Sequence, residues 1–237
     1  MRCLRPIGAS PPRLSLDAEG GELIAAGIRG TYVKIGKRQR LPIMINIRPY
    51  SPEDERAWLK CRVLSFLDTA YFDDVQPRKT VFENPVIDLV AVDGPLIVGL
   101  IEIECETAPG TVCWQKAGLG GMIWNILVHP DYRCQGIAAK LLDFAKKRAV
   151  ERGILRFEAC TRDDPWVLRW YEKNGWAHVM SYLHVYMDYE ELQSEVQCRT
   201  PGLKPIKVFA HYTGAETLAI RKRFRRVHDC NLLELRF

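Results

Sequence analysis

The chain has 237 residues, 47% of them hydrophobic and 27% charged, with a formal net charge of +5. That is enough apolar material for one sizeable domain with a buried core, and it excludes a wholly disordered chain. The longest apolar stretch, VIDLVAVDGPLIVGLIEIE, is broken by Asp88, Asp93 and a Gly94-Pro95 turn, so no membrane span is expected. The first residues include arginines but no apolar run, which argues against a secretory signal. Cysteines at 3, 61, 105, 113, 134, 160, 198 and 230 form no CxxC and no His-flanked pair. No metal and no disulfide framework are expected, and the chain reads as a reduced, cytoplasmic protein.

Residues 1 to 43 hold eight Arg or Lys against three acids, so the whole charge excess sits there. This segment reads as a basic, Gly- and Pro-rich, poorly patterned leader, with a solvated segment favoured over a nucleic-acid arm. Patterning becomes legible at Met44, itself a candidate start. MINIRPY reads as a strand. Ser51-Pro52 then supplies an N-cap and a first-turn proline for a helix whose Leu59, Val63, Phe66 and Leu67 share a face. After a loop around Asp73, VIDLVAV and PLIVGLIEIE read as two strands joined by Asp93-Gly94, a hairpin signal. AGLGG, at 117 to 121, precedes a strand and reads as a flexible connection, not a phosphate cradle. MIWNILVHP is the next strand, ending at Pro130.

The following helix is amphipathic. Ile137, Leu141 and Phe144 lie beside Ala138, Leu142, Ala145 and Ala149, with Lys140, Lys146 and Lys147 turned away. Gly153 ends it, and ILRFEAC is a strand, so strand, crossover helix and strand imply a parallel pair. Asp164-Pro165 starts a helix through WVLRWYEKN that stops at Gly175. AHVMSYLHVYMD alternates, with His178, Met180, Tyr182, His184 and Tyr186 on one side and Val179, Leu183, Val185 and Met187 on the other.

The opening of the second helix, HPDYRCQGIAAKLL, carries the chemistry. A helix start has unpaired N–H groups and about half a positive charge, so a docked anion satisfies several donors at once. Gly136 leaves room for a ligand against the main chain, and Arg133 offers a fork suited to phosphate oxygens. The alternative is a glycine that relieves a tight turn beside a solvated arginine. RCQGIA lacks GxGxxG, and no GxxxxGK[ST] occurs, which removes the dinucleotide fingerprint and the P-loop.

Two motifs together resemble the GNAT superfamily of N-acetyltransferases. R-x-x-G-x-A at Arg133 to Ala138, after a strand ending ILVHP, is similar to its acyl-CoA signature. TRDDPWVLRWYEKNGW is similar to its later helix. The resemblance covers residues 44 to 188. It implies an α/β (α+β) fold: a mixed, mostly antiparallel central sheet with a splayed parallel strand pair, flanked by helices. It also implies acetyl-CoA as cosubstrate, with Ile126, Leu127 and Val128 pairing with the pantetheine arm and the N–H groups of Cys134, Gln135, Gly136, Ile137, Ala138 and Ala139, beside Arg133, taking the pyrophosphate. Ala138 replaces a commoner glycine. Asp164 stands where the family often has asparagine, and a helix-cap role is favoured over a ligand role.

By the same resemblance, an amine attacks the thioester directly through a tetrahedral intermediate that expels the CoA thiolate. Keeping a lysine-like amine neutral at pH 7 costs about 4 to 5 kcal/mol, and the departing sulfur benefits from a proton donor. Family analogy assigns the donor to Tyr171, which shares a helix face with Val167 and Trp170 and could alternatively be a packed aromatic; its spacing to Gly175 favours the acid. For the base it suggests Glu158, with Glu102 and Glu104 on a neighbouring strand; each also reads as a solvated strand residue, and a water chain is an alternative. His129 reads as part of the turn.

The row Tyr182, His184, Tyr186 is either an acceptor wall or an exposed sheet face. Residues 189 to 237 read as a C-terminal extension completing or covering the sheet: a strand IKVFAHY, a helix-like GAETLAIRKRFRRVH and a strand LLELRF, adding edge strands. RKRFRR reads as a solvated basic face. The expected partner is a primary amine of a small molecule or protein, with no membrane and no nucleic acid, and a homodimer is left open. The competing reading is a non-catalytic acyl-CoA sensor or a nucleic-acid-binding module.

Overall fold

A computed structural model describes residues 45–192, 195–196 and 198–237, together with the strand backbone of 24–26 and 32–34. The chain divides into two units, Met1–Ile43 and Met44–Phe237. In the first, β1 (Ile24–Ala26) and β2 (Tyr32–Lys34) pair antiparallel with Ile24 opposite Lys34. The leader, read as unpatterned, therefore carries one short ladder; the remainder of that segment lies outside the described residues.

The second unit begins with β3 (Asn46–Pro49). The Ser51 N–H then donates to Asp54 Oδ2 at 2.9 Å, and Pro52 brings no N–H needing a partner, so a short 3-10 turn runs into α1 (Glu55–Phe66). β4 (Val86–Asp93) and β5 (Leu96–Cys105) form the expected hairpin, its turn held by Gly94 at φ +56°. β6 (Gly121–Val128), α2 (Ile137–Val150) and β7 (Arg156–Thr161) follow as strand, helix and strand, and β6 and β7 are parallel. Then come α3 (Pro165–Lys173), β8 (Ala177–Asp188), α4 (Tyr189–Leu192), β9 (Lys207–Tyr212), α5 (Thr217–Arg223) and β10 (Arg226–Arg236).

Eight strands form one mixed, mostly antiparallel sheet in the order β3-β4-β5-β6-β7-β10-β8-β9. The C-terminal residues were expected to add edge strands. β9 is an edge strand, but β10 is interior, antiparallel to both β7 and β8. The helix-like reading of 214 to 228 also ran too far: the helix stops at Arg223 and the strand starts at Arg226. From there Arg226 pairs with Asp73 and Arg225 with Asp188, contacts that an extended chain makes.

Strand alternation sends Ile87, Leu89, Ala91, Ile101, Ile103, Phe157 and Ala159 to one face, where they pack with Ile137, Leu141, Leu142, Ala145 and Ala149 of α2 and Tyr171 of α3. Val90, Ile97 and Leu100 face the other way, against Trp58 and Cys61 of α1. The expected stripe on α1 is corrected. The buried positions are Trp58, Cys61, Arg62 and Ser65, whereas Leu67 is exposed. The cause is polar: the sheet beneath α1 carries Glu102 and Asn125, so Arg62 Nε donates to Asn125 Oδ1 at 3.2 Å and Asn125 Nδ2 donates to Glu102 at 2.7 Å. On α2, Phe144 likewise lies outside the core and is exposed, with the Lys147 ammonium 5.6 Å from its ring centre.

Candidate active site

The parallel pairing of β6 and β7 is brief. Gly121, Met122 and Ile123 lie opposite Phe157, Glu158 and Ala159, and there it stops. Beyond it, Ile126, Leu127 and Val128 remain paired to β5 on one side only, and all three are half-buried. The strands therefore fork, leaving one edge of β6 with main-chain groups that a peptide-like ligand can pair with.

At the mouth of the fork the chain turns through Cys134 at φ +59° and Gly136 at φ +75° before α2 begins. Lys140 N–H is the first donor of the helix, reaching Gly136 O at 3.1 Å. Among the described residues, the N–H groups of Cys134, Gln135, Gly136, Ile137, Ala138 and Ala139 donate to no protein acceptor. Cys134, Gln135 and Gly136 are exposed, and a Cβ on Gly136 would meet nothing within 4 Å. This exposed run of free amides at a helix start suits an anion in charge. The side chain of Ile137 is core, 2% exposed, so only its backbone belongs to that run. Arg133 is engaged rather than solvated: it donates to Ser65 O at 2.9 Å and Asp68 at 3.2 Å, with its guanidinium 5.0 Å from the Trp166 ring centre. It ties the loop to the end of α1. His129 is structural, its Nδ1 accepting from the Asp131 N–H at 3.3 Å.

Tyr171 lies in the core under the fork, edge-on to Trp170 and Trp176. Burial, and secondarily the charge of nearby Cys160, raises its phenol above the ordinary value, so it stays protonated through neutral pH. The expectation for Glu158 is corrected. It is wholly buried and both oxygens are occupied: Oε2 accepts from Trp114 N–H at 2.7 Å, and Oε1 from Gln115 N–H at 2.9 Å and from Arg156. Glu106 does similar work, accepting from the N–H groups of Gly110, Val112, Cys113 and Gly120. The 106–120 loop is thus folded around two carboxylates, and AGLGG belongs to a tied segment. Glu102 is held by Lys79 and Asn125, and Glu104 by Asn84 and Trp124.

Asp164 occupies the N-cap position of α3, but its side chain makes no cap bond. Its carboxylate instead accepts from the Ala70 N–H at 3.1 Å. The Arg162 N–H donates to Tyr71 Oη at 3.1 Å, and the Arg162 side chain donates to Ala70 O. Together they fasten the loop after α1 across the end of β7. Nothing in the sequence announces this, because the partners are more than ninety residues apart. Tyr182 and His184, each 7% exposed, lie beneath rings of Trp114, Phe209 and His211 instead of forming an open face. The RKRFRR cluster is largely neutralised: Arg221 pairs with Asp229, Arg223 with Glu195, Arg225 with Asp188 and Glu190, and Arg226 with Asp73.

A mixed sheet forked at its parallel pair, with an amide-lined helix start at the mouth, is the architecture of acyltransferases. The family model for the acetyltransferase (GNAT) family matches residues 52–176, more than half of the chain, and the protein belongs to that family. Among solved structures, NAA60 of Arabidopsis thaliana in complex with a bisubstrate analogue is similar at TM-score 0.51 and 15% identity, over 81% of this chain and 97% of that one. The ribosomal-protein-S18-alanine N-acetyltransferase of Escherichia coli gives 0.49 and 13%, over 81% and 94%. PaiA N-acetyltransferase of Thermoplasma acidophilum in complex with coenzyme A gives 0.45 and 16%, over 57% and 91%. No helix among the described residues is long and apolar enough to cross a membrane.

Proposed function

We propose that this protein is an acetyl-CoA-dependent N-acetyltransferase that acts in the cytoplasm on a primary amine of a small molecule or protein. The observation that carries the reading is the run of undonated N–H groups from Cys134 to Ala139 beside the free edge of β6. Those amides hold the pyrophosphate, and Ile126, Leu127 and Val128 align the pantetheine arm along the fork. Acetyl-CoA supplies an activated acyl carbon and a thiolate leaving group, for direct transfer to the amine. Tyr171, protonated and buried under the fork, donates the proton that the departing sulfur needs. Trp114, Phe209 and His211, exposed over Tyr182 and His184, would line the acceptor side.

A nucleic-acid-binding role is disfavoured because four arginines of RKRFRR already have carboxylate partners. An acyl-CoA sensor remains the competing class. Calorimetry with coenzyme A and acetyl-CoA, followed by thiol release with a panel of amines read by mass spectrometry, separates them. Heat with either coenzyme and an acetylated amine are expected. Binding without transfer to any amine favours the sensor, and no heat with either coenzyme refutes the site.

A further inference from the structure

With the phosphates at the mouth of the fork, the acyl end of an extended pantetheine arm reaches the apex, where β6 and β7 are still paired. Glu158 stands there, opposite Met122. It alternates with Phe157 and Ala159, which face α2, so it points to the opposite face of the sheet. Its Oε2 accepts the Trp114 N–H at 2.7 Å, which pins Trp114 beside the apex. From that anchor the indole crosses β10 and stacks on Tyr182 of β8, with ring centres 5.7 Å apart and planes 23° apart. Since β8 is two strands from β7, Trp114 bridges about 10 Å between the apex and what lies beyond it.

Beyond it lies a continuous surface of rings. Val208, Ala210 and Tyr212 of β9 take the face where Leu192 of α4 and Ile220 of α5 pack with Leu183 and Val185, so Phe209 and His211 take the other, beside Trp114. His211 lies parallel to His184 at 4.7 Å and meets Tyr182 at 4.9 Å, and Phe209 meets His184 and Tyr186, each at 4.9 Å. The inner rings are covered, but Trp114 and Phe209 are each 48% exposed, and His211 is exposed as well. Charge on this face discriminates among amines. Arg162 Nε donates to His184 Nδ1 at 3.1 Å; a guanidinium only donates, so this imidazole accepts and is neutral. Among the described residues, the carboxylates around the rings are committed: Asp73 to Arg226, Asp163 to His228, Asp164 to the Ala70 N–H and Glu158 to Arg156. Arg162, 4% exposed, has no carboxylate partner. A second ammonium on an acceptor would meet a guanidinium and no free anion. A flat ring would meet ring faces, which stack or pack edge-on with a gain beyond their buried area.

We propose that the acceptor is a small arylalkylamine, selected by Trp114, Phe209 and His211, which pack on its ring while its nitrogen reaches the apex of the fork. This rests on the acetyltransferase reading above. The transfer is the one already described: the C–N bond forms, the C–S bond breaks, the nitrogen loses one proton and the departing sulfur gains one. Three half-exposed rings are a surface for one ring-sized substituent, which is why a small molecule fits it. Trp114 is the residue that ties recognition to chemistry, because its backbone is fixed at the apex and its ring begins the surface.

The test measures kcat/KM with saturating acetyl-CoA at neutral pH for phenethylamine, cyclohexylethylamine and a linear diamine. The two ring amines share chain length and carbon count, so their ratio isolates the flat ring. Phenethylamine should exceed cyclohexylethylamine by about tenfold, equivalent to about 1.4 kcal/mol, and should exceed the diamine by more. In Trp114→Ala the ratio should fall to within about threefold of unity, whereas Trp114→Phe should keep most of it. Phe209→Ala, on the edge strand, should lower it as well. Coenzyme A affinity by calorimetry identifies the variants that fold. An active wild type that uses cyclohexylethylamine or the diamine as well as phenethylamine overturns the acceptor assignment alone. So does transfer to a peptide N-terminus but to none of the three small amines, or a ring preference that survives in the alanine variants that bind coenzyme A normally. Loss of coenzyme binding or of all amine acetylation in the wild type overturns the function and the acceptor with it.

Discussion

Glu158→Gln separates an anchor from a base. The substitution keeps the shape of a wholly buried side chain but leaves one acceptor oxygen where two served Trp114 N–H, Gln115 N–H and Arg156. One hydrogen bond to a charged group is worth about 1.5–3 kcal/mol, and breaking a buried ion pair costs about 3–5 kcal/mol. Arg156 retains Glu106 at 3.5 Å and Glu234 at 3.7 Å, so the net loss should lie near about 2–4 kcal/mol. Urea unfolding at neutral pH reads this directly. Hydrogen exchange should rise at Trp114 and Gln115, whose N–H groups lose a charged acceptor. Turnover of the folded fraction should fall by less than about tenfold, whereas removing a general base costs about 10²–10⁴. An unchanged unfolding midpoint together with a hundredfold or greater loss of kcat/KM would return Glu158 to the role of base.

Burial opposes ionisation of Glu106, but its four backbone N–H partners outweigh that and hold its carboxyl below the ordinary value. A lowered folded-state value means stability that is present above the unfolded value and is lost as pH falls through the folded one. Glu106→Gln should therefore be less stable than wild type at neutral pH, with the gap closing in acid, as read by urea unfolding across pH. Gly136→Ala meets no neighbouring atom, so its structural cost is the left-handed backbone alone, about 1–2 kcal/mol. Its Cβ stands among the exposed amides proposed to hold the pyrophosphate, and coenzyme A affinity should fall by at least about tenfold by calorimetry; unchanged affinity would move the pyrophosphate elsewhere. Tyr171→Phe should lower kcat by about a hundredfold with acetyl-CoA affinity nearly intact, and unchanged turnover with a competent amine would remove Tyr171 from the mechanism.

What the sequence made legible rests on short-range rules. The β4–β5 hairpin follows from Asp93-Gly94, the start of α1 from Ser51-Pro52, and the helix opening at Gly136 from one residue without a side chain. The features that stayed hidden depend on partners far away in the chain. The buried stripe of α1 runs through Arg62 and Ser65 because Glu102 and Asn125 wait on the sheet, so apolar periodicity picked the wrong side. Asp164 looked like a cap because its local position is one, while its oxygens serve Ala70. Glu158 sits where a base was expected, yet the 106–120 loop, whose conformation has no periodic signature, consumes both oxygens.

The interior position of β10 bears on how the protein is made. β7 and β8 leave the ribosome well before the strand that joins them, with Asn231 pairing across seventy positions to Thr161. Until that wedge arrives, both strands carry raw edges able to recruit a neighbouring nascent chain. Such distant pairing is intrinsically slow to form. The interval before β10 is made should thus be the vulnerable stage of biogenesis.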